Sequence, residues 1–303
     1  MEKLLPLVTI VITTYKREPE LVERAIKSAL NQTYKNVELI VVDDSPSTYE
    51  LRNQVKLMTE KYGDSIAYIP HEKNMGACVA RNTGLNASNG EYIAYLDDDD
   101  EWMPTKIELL MKLFTNENIA LAYCGYVVKN DTTGVVKAYD AKIYEGNIYK
   151  RLILEGNFIG STSFPIIRTE CLKTIGGFDP LMESAQDADV WIRIAQRYDV
   201  VGIKDALVIY HIHDGERITS NPQKKINGII RLQEKNWDFV SSSNDAQARY
   251  SMILASLFAH DGKFKNALRY WWTGVLKSPL KVINNVKCLL KVIYRYFGRL
   301  LRN

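Results

Sequence analysis

Short apolar runs rich in β-branched residues alternate with amphipathic segments over the first 125 residues of the chain. Such runs are typical of strands that are buried on both faces of a parallel sheet. We predict strands over 7–13, 37–42, 66–69, 91–96 and 119–124. We predict helices over 19–32, 48–62, 76–86 and 104–114. This alternation predicts an α/β fold with a doubly wound, mostly parallel sheet flanked by helices.

The pattern after residue 125 is less regular. A polar stretch over 126–144 predicts a hairpin or loop around Gly134. Shorter patterns predict helices over 149–154, 169–175 and 187–198, and strands over 161–167, 200–203 and 207–212. From Asn221 onward the pattern is helical, with breaks near 241–244, Gly262 and Pro279. We therefore predict a domain over 1–220, in halves 1–125 and 126–220, and a helical C-terminal extension over 221–303.

Four consecutive carboxylates, Asp97 to Asp100, follow the predicted strand over 91–96. Like charges this close disfavour one another's ionised form, so a cation is expected beside them. Mg²⁺ or Mn²⁺ suits oxygen ligands and typically links carboxylates to substrate phosphates. A solvated acidic loop or the N-terminus of a helix is the alternative.

Polar residues also follow the other predicted strands, at 14–15, 43–44 and 71–74. Ligands of open α/β sheets bind beyond the carboxyl ends of the strands. Each polar residue taken singly is equally explained as a helix cap. The four strand ends together predict a ligand site at one edge of the sheet.

Charge is unevenly distributed along the 303 residues, although the net charge is only +3. Residues 262–303 carry ten Lys or Arg and no Asp or Glu. Over 279–303 apolar residues recur on one helical face, with the cations opposite. This basic amphipathic helix predicts either contact with an anionic membrane surface or a helix packed on the body with a solvated basic face. We expect no nucleic acid partner, since the cations lie outside any fold known to bind one.

The four cysteines are far apart and lack metal-site spacing, which favours a reducing, cytoplasmic setting. No window of 18 residues is apolar enough for a transmembrane helix, and the N-terminus is typical of a strand rather than a signal peptide. We therefore expect a cytoplasmic protein, with the tail as a candidate for peripheral attachment to the inner face of the cell membrane.

Six motifs in fixed order resemble those of family-2 glycosyltransferases with a GT-A fold. They are VTIVITTYKRE, ELIVVDDSPS, NMGACVARNTG, EYIAYLDDDDEWMP, GGFDP and QDADVWIRIA, within 7–220. The resemblance implies a Rossmann-like sheet with a donor half over 1–125 and an acceptor half over 126–220. It also implies inverting, metal-dependent transfer from a nucleotide-diphospho-sugar, expected to be a UDP-sugar, to a hydroxyl of a cell-surface glycan or lipid-linked acceptor.

The resemblance places the nucleotide at the first three strand ends. Thr14 and Tyr15 match residues that hold the base, and Tyr15 can stack on a pyrimidine. Asp44 matches the residue that accepts a hydrogen bond from uracil. Asn74 and Arg81 match contacts to the base, ribose or diphosphate. The alternatives are a helix cap for Asp44 and a structural ion pair for Arg81.

The Asp run matches the D-x-D signature of the family. The resemblance makes Asp97 and Asp99 the signature pair, with Asp99 as a ligand of Mn²⁺ or Mg²⁺ and Asp97 nearer the ribose or the metal, or in contact with the diphosphate. Asp98 is a further nucleotide-binding candidate, and the sequence also allows Asp98 and Asp100 as the pair. His213 matches a His that contacts the metal or diphosphate, with His211 as its alternative.

Asp187 matches the catalytic base, which takes a proton from the acceptor hydroxyl. The residue before it is commonly Glu in the family and is Gln186 here, a change that affects acceptor recognition rather than the base. Arg217 is a candidate for contact with the diphosphate. A carboxylate at a helix N-terminus is the alternative for Asp187.

Two other functions remain open from the sequence. A nucleotidyltransferase on a similar sheet usually has a Gly-rich basic loop after its first strand, and residues 14–17 do not form one. A non-catalytic nucleotide-sugar-binding assembly protein would be expected to lack Asp187 or the Asp run, and both are present.

Overall fold

The computed structural model describes residues 5–139, 141–212, 221–280 and 282–300. Within these residues nine strands form one sheet. The strands are β1 (Val8–Thr14), β2 (Val37–Asp43), β3 (Ile66–Pro70), β4 (Tyr92–Asp97), β5 (Glu101–Trp102), β6 (Ile119–Asn130), β7 (Val136–Tyr139), β8 (Ile166–Arg168) and β9 (Asp199–Ile212). Their order across the sheet is β3-β2-β1-β4-β8-β6-β9-β5, and β7 pairs with β6.

The predicted parallel sheet is confirmed in its first half. Strand β1 runs parallel to β2 and to β4, and β2 runs parallel to β3. Strand β8 is antiparallel to both β4 and β6, whereas β6 and β9 are parallel. Strands β1, β2 and β4 are mostly buried because their apolar side chains fill both faces of the sheet, whereas β3 at the edge of the sheet is largely half-buried or exposed. Their carboxyl ends therefore meet at one edge.

Seven helices accompany these strands in the described residues up to 212. They are α1 (Pro19–Leu30), α2 (Arg52–Glu60), α3 (Ala77–Ala87), α4 (Lys106–Met111), α5 (Tyr149–Glu155), α6 (Thr169–Thr174) and α7 (Gln186–Ala195), with a 3₁₀ turn at Gly63–Ser65. Helix α1 begins with Pro19 in its first turn and buries Val22, Ala25, Ile26 and Ala29. Those four positions share one helical face, which packs on the sheet core.

The structure revises the strands predicted over 161–167, 200–203 and 207–212 and confirms the predicted hairpin. The strand predicted over 161–167 is limited to β8, because the hydroxyl side chains of 161–163 bond to carboxylates and backbone instead of packing in a sheet. The strands predicted over 200–203 and 207–212 form one strand, β9, whose register against β6 shifts irregularly. The hairpin predicted within 126–144 is confirmed, with Gly134 at a positive φ of 71° in the turn between β6 and β7.

The described residues fall into two compact units. The first contains the sheet and takes in residues up to Leu152, Asn157–Pro180 and the segment from Val190 through β9. The second takes in Ile153–Gly156, Leu181–Asp189 and the C-terminal helices. These helices are α8 (Pro222–Lys235), α9 (Trp237–Ser242), α10 (Asn244–His260), α11 (Phe264–Lys277) and α12 (Val282–Leu300). The domain boundary at 220 stays a prediction.

Helix α10 forms the centre of the second unit and contacts α8, α11 and α12. The core of this unit contains Ile226, Leu254, Phe258, Ala267 and Val292. Asn221 caps the N-terminus of α8, and its side-chain oxygen accepts hydrogen bonds from the backbone N–H groups of residues 223 and 224. None of the described helices is long and apolar enough to cross a membrane.

A wholly buried lysine, Lys106, opens helix α4. Its Nζ lies 3.9 Å from the centre of the Trp102 ring and has no hydrogen-bond partner among the described residues. Burial lowers the pKa of Lys106 to about 8, because desolvation disfavours the cation.

Replacing this cation with an apolar side chain of similar length should stabilise the protein. We expect Lys106→Met to raise the free energy of unfolding at pH 7 by about 1–3 kcal/mol. The folded protein loses the Lys106 proton near pH 8, whereas the unfolded chain holds it up to the ordinary pKa of 10.5. The free energy of unfolding of the wild type should therefore rise between pH 8 and 10.5, and the stability difference between Lys106→Met and the wild type should shrink over that range. Urea unfolding of both proteins across this range measures the difference. Lys56→Met, at an exposed site, is the control, and a difference independent of pH would contradict the explanation.

Candidate active site

The carboxyl ends of β1, β2 and β4 lie side by side. Thr14 is opposite Asp43, and Thr13 is opposite Asp97. Thr14 is buried, whereas the ring of Tyr15 is exposed just beyond the strand. An exposed aromatic ring at the end of the first strand has room to stack on a base, as the family resemblance predicts for Tyr15.

Asp44 is buried and holds the turn before α3. Its Oδ1 accepts from the Met75 N–H at 2.7 Å and lies 2.8 Å from His71 Nδ1. Its Oδ2 accepts from Asn74 Nδ2 at 3.0 Å and from the Gly76 N–H at 2.8 Å. Gly76 has a positive φ of 90°, which glycine adopts without strain. These four contacts fill the lone-pair positions of the carboxylate, so a hydrogen bond from a base would replace one of them. The base-binding role of Asp44 stays a prediction.

His71 is a site-forming residue that sequence reasoning located only as part of a polar strand end. Its Nε2 lies 2.9 Å from Thr83 Oγ1 on α3, and its backbone oxygen accepts from Arg52 Nη2 at 2.6 Å. His71 thus links Asp44 to α3. His71 is 27 residues from Asp44 and 12 residues from Thr83, so no local sequence pattern predicts these contacts.

Asp97 lies at the end of β4 among hydroxyl groups and one guanidinium. Its Oδ1 accepts from Arg81 Nη2 at 3.0 Å and from Thr162 Oγ1 at 3.1 Å. Its Oδ2 accepts from Ser161 Oγ at 3.3 Å, and its N–H donates to Ser163 Oγ at 3.0 Å. The structure therefore brings together Asp97 and Arg81, two predicted site residues, and adds a hydroxyl loop over 161–163 that the sequence analysis assigned to a strand.

Arginines outside the predicted site neutralise the middle of the Asp run. Arg17 Nε donates to Asp98 Oδ1 at 2.9 Å, and Arg17 Nη2 donates to Asp99 Oδ2 at 3.2 Å. Arg24 Nη2 on α1 donates to the backbone oxygen of Asp99 at 2.7 Å. The cation expected from electrostatic repulsion is thus supplied partly by the chain itself. Arg17 lies in the motif after β1, but the 81 residues that separate it from Asp98 hide the contact from sequence reasoning.

The four carboxylates differ in exposure, which bears on the register that the sequence leaves open. The side chains of Asp97 and Asp99 are 28% and 22% exposed. That of Asp98 is 6% exposed, and Asp100 as a residue is 1% exposed. Burial raises the pKa of Asp98 to about 6, although Arg17 favours its ionised form. Burial also raises the pKa of Asp100 well above its ordinary value. The two partly exposed carboxylates, Asp97 and Asp99, are two residues apart, which is the spacing of the expected signature pair.

The exposed pair suits a hard divalent cation in its chemistry. Mg²⁺ and Mn²⁺ are commonly held by one or two carboxylates together with substrate phosphates rather than by a complete protein cage. Among the described residues no group of three or more His, Cys, Asp or Glu side chains is arranged to hold a metal ion. Asp97 and Asp99 therefore fit as a partial ligand set that substrate oxygens would complete.

His211 is buried at the end of β9 and is engaged with carboxylates on both sides. Its Nε2 lies 2.7 Å from Glu101 Oε1, and its Nδ1 lies 2.6 Å from Asp131 Oδ1. The hydrogen bond to His211 is the main cause that lowers the pKa of Glu101. Both ring nitrogens thus have carboxylate partners within the chain, which disfavours His211 as a metal ligand. His213 and Arg217 lie outside the described residues.

The predicted base, Asp187, lies in the first turn of α7 and belongs to the second unit. Its Oδ1 accepts from the N–H of Ala188 at 2.8 Å. Gln186 donates from Nε2 to the Met182 backbone oxygen at 3.0 Å. The position of Asp187 at a helix N-terminus is favourable for a carboxylate whether or not it is catalytic, so its catalytic role stays a prediction.

Asp189, two residues further on, has a different environment. It is 1% exposed, and its Oδ1 lies 2.5 Å from Lys235 Nζ on α8 of the same unit. A buried carboxylate paired with lysine supports the structure of the second unit. This separates Asp189 from Asp187 as a structural rather than a catalytic candidate.

Comparisons with known proteins agree with this architecture. The model of the family described as Glycosyl transferase family 2 matches residues 9–176. WcaA of Escherichia coli (strain K12), provisionally named a colanic acid biosynthesis glycosyl transferase, is 35% identical over 242 residues, covering 77% of this chain and 82% of that protein. The Escherichia coli protein WfaP, named UDP-Glc:alpha-D-GlcNAc-diphosphoundecaprenol beta-1,3-glucosyltransferase, is 29% identical over 279 residues, covering 87% of this chain and 97% of its own.

A solved structure shares the fold at low sequence identity. The crystal structure of S. aureus TarS 1-349 in complex with UDP-GlcNAc matches with a TM-score of 0.64 at 16% identity. The match covers 95% of this chain and 89% of that chain. Together with the match over more than half of the sequence, this shows that the chain belongs to glycosyl transferase family 2 and is a glycosyltransferase with a GT-A fold.

Proposed function

We propose that this glycosyltransferase is inverting and metal-dependent, and that it moves a sugar from a UDP-sugar to a hydroxyl of a lipid-linked or cell-surface glycan. The observation that carries the proposal is the alternation at the end of β4, where Asp97, which contacts Arg81, and Asp99 are partly exposed while Asp98 and Asp100 are buried. Such an edge combines carboxylates for a metal with a guanidinium for a diphosphate.

The donor site would use residues of the first unit. Tyr15 would stack on the base, and Asp44 would fix the turn that carries Asn74. Asp97 and Asp99 would hold Mn²⁺ or Mg²⁺, which supplies positive charge beside the diphosphate when it is bound. Arg81 would share its guanidinium between Asp97 and the ribose or diphosphate. His213 and Arg217 remain candidates for further contacts with the metal and the diphosphate.

The acceptor chemistry would depend on Asp187. Its carboxylate would accept the proton of the acceptor hydroxyl while the oxygen attacks the anomeric carbon and the nucleoside diphosphate leaves. A single displacement inverts the anomeric configuration. WfaP is named for a diphosphoundecaprenol-linked acceptor, and by similarity we propose a lipid-linked acceptor here, at the inner face of the cell membrane.

Calorimetry with UDP tests the donor assignment. We expect UDP to bind more tightly with Mn²⁺ than with EDTA, because a cation bound by Asp97 and Asp99 would neutralise diphosphate charge. Equal affinity in both buffers would contradict metal dependence.

Slow hydrolysis of nucleotide sugars tests the substrate class. A panel of UDP-glucose, UDP-N-acetylglucosamine, UDP-galactose and GDP-mannose should identify one UDP-sugar that the enzyme cleaves to UDP. Release of pyrophosphate from UTP and a sugar phosphate would favour a nucleotidyltransferase instead. Binding of UDP-sugars without cleavage or transfer would favour an assembly protein.

A further inference from the structure

Helix α11 exposes an apolar stripe on the side away from the core of the second unit. Ala267 and Gly274 are buried, and Gly274 packs against Met252 of α10. Leu268, Trp272 and Leu276, four residues apart, are all exposed. Positions at this spacing lie on one helical face, so the stripe runs along α11.

Helix α12 repeats this arrangement. Cys288 and Val292 are buried on the side that packs against α10, where Cys288 Sγ lies 3.6 Å from the Met252 backbone oxygen. Over residues 286–295, the stretch of α12 whose side-chain burial is described, the exposed apolar side chains are Val286, Leu290, Ile293 and Tyr294. The sequence analysis predicts a single apolar face for this helix. In this stretch the structure instead shows a buried side and an exposed apolar stripe.

The surroundings of both stripes are cationic. Lys265 and Arg269 on α11 are exposed, as are Lys287 and Lys291 on α12. No Asp or Glu occurs from residue 262 to the C-terminus, against ten Lys or Arg. A surface that offers apolar side chains and cations together matches a layer of anionic headgroups above hydrocarbon.

We propose that α11 and α12 bind the second unit to the surface of an anionic lipid bilayer, with Trp272 and Tyr294 at the headgroup level. Both side chains are amphipathic aromatics, which favour that depth. A second copy of the chain fits the stripes poorly, because it would bring the same cations against one another. The inference rests on the second unit alone and does not depend on the donor or the metal.

Vesicle co-sedimentation of the full chain tests the proposal. We expect wild-type protein to sediment with vesicles of phosphatidylglycerol and phosphatidylcholine, to release at high salt, and to bind pure phosphatidylcholine weakly. Trp272→Ser with Leu290→Ser should weaken binding at least about tenfold through lost apolar burial. Lys287→Gln with Lys291→Gln should weaken it about 25-fold, at roughly fivefold for each cation near the surface.

Matched controls come from the first unit. Leu57 on α2 is 52% exposed, close to the 59% of Leu290, so Leu57→Ser removes one comparably exposed leucine from a surface outside the stripes. Lys56→Gln with Lys61→Gln removes two exposed cations, one on α2 and one directly after its last residue. Both controls should bind vesicles as the wild type does, and thermal unfolding followed by circular dichroism verifies that every variant is folded.

Three results would overturn the inference. One is failure of the wild type to bind the anionic vesicles, and another is unchanged binding by both α11–α12 variants. The third combines two observations: sedimentation velocity shows that the wild type is a dimer and that the Trp272→Ser, Leu290→Ser variant is a monomer, and the variant still binds vesicles. That result would assign the stripes to self-association. Loss of vesicle binding with hydrolysis of the UDP-sugar intact supports the inference separately from the proposed chemistry.

Discussion

An Asp187→Asn variant should transfer sugar about 10²–10⁴-fold more slowly than the wild type, because the amide cannot accept the proton of the acceptor hydroxyl. Its affinity for UDP should stay nearly unchanged, since Asp187 is not among the proposed nucleotide contacts. Initial rates of product formation with a UDP-sugar and acceptor, together with UDP calorimetry, measure the two effects separately. Retained transfer would remove Asp187 as the base.

Asp189→Asn is the matched control for this experiment, since it makes the same chemical change two residues away. The carboxylate of Asp189 is buried against Lys235, so its loss leaves a buried cation without its partner. We expect a lower melting temperature for Asp189→Asn and transfer rates close to wild type at temperatures where it is folded. Equal rate losses in both variants would point to disruption of α7 rather than to loss of a base.

An Asp99→Asn variant should lose most of the gain in UDP affinity that Mn²⁺ provides, a loss of about 100-fold if the metal contributes several kcal/mol. Affinity measured in EDTA should change little. Titration of UDP at fixed Mn²⁺ and in EDTA, with Mn²⁺ binding followed by electron paramagnetic resonance, tests the assignment without relying on turnover.

The neighbouring carboxylate supplies the comparison for the register. Asp98→Asn removes the same charge from a side chain that is buried and paired with Arg17. Asp98→Asn should lower the free energy of unfolding and largely retain the gain in UDP affinity that Mn²⁺ provides. The nucleotide contact predicted for Asp98 from the sequence would instead require Arg17 to release it. If Asp98→Asn rather than Asp99→Asn abolishes the gain, the signature pair is displaced by one residue.

The first four strands could be predicted to within about one residue because each is a short apolar run bounded by polar residues, and three of them, β1, β2 and β4, are mostly buried. The position of the Asp run at a strand end follows from the same pattern, since aspartate is unfavourable inside a strand. The contacts that organise the run could not be predicted. Arg17 and Ser163 reach it across 81 and 63 residues, and only the completed fold brings them near.

The C-terminal helices illustrate a second limit. Apolar residues at helical spacing in a sequence predict an apolar helix face, but they do not indicate whether that face packs on protein or is exposed to solvent. Over residues 286–295 of α12, Cys288 and Val292 are buried on the side that packs on α10. Val286, Leu290, Ile293 and Tyr294 in the same stretch are exposed, together with Lys287 and Lys291.

The four hydrogen bonds to Asp44 have a consequence for the thermodynamics of donor binding. They fix the turn at Asn74, Met75 and Gly76 before any ligand arrives. A preorganised turn has already lost its conformational entropy during folding, so association does not have to order it. Substitution of Asp44 would therefore weaken nucleotide binding through a disordered turn even if the carboxylate never touched the base.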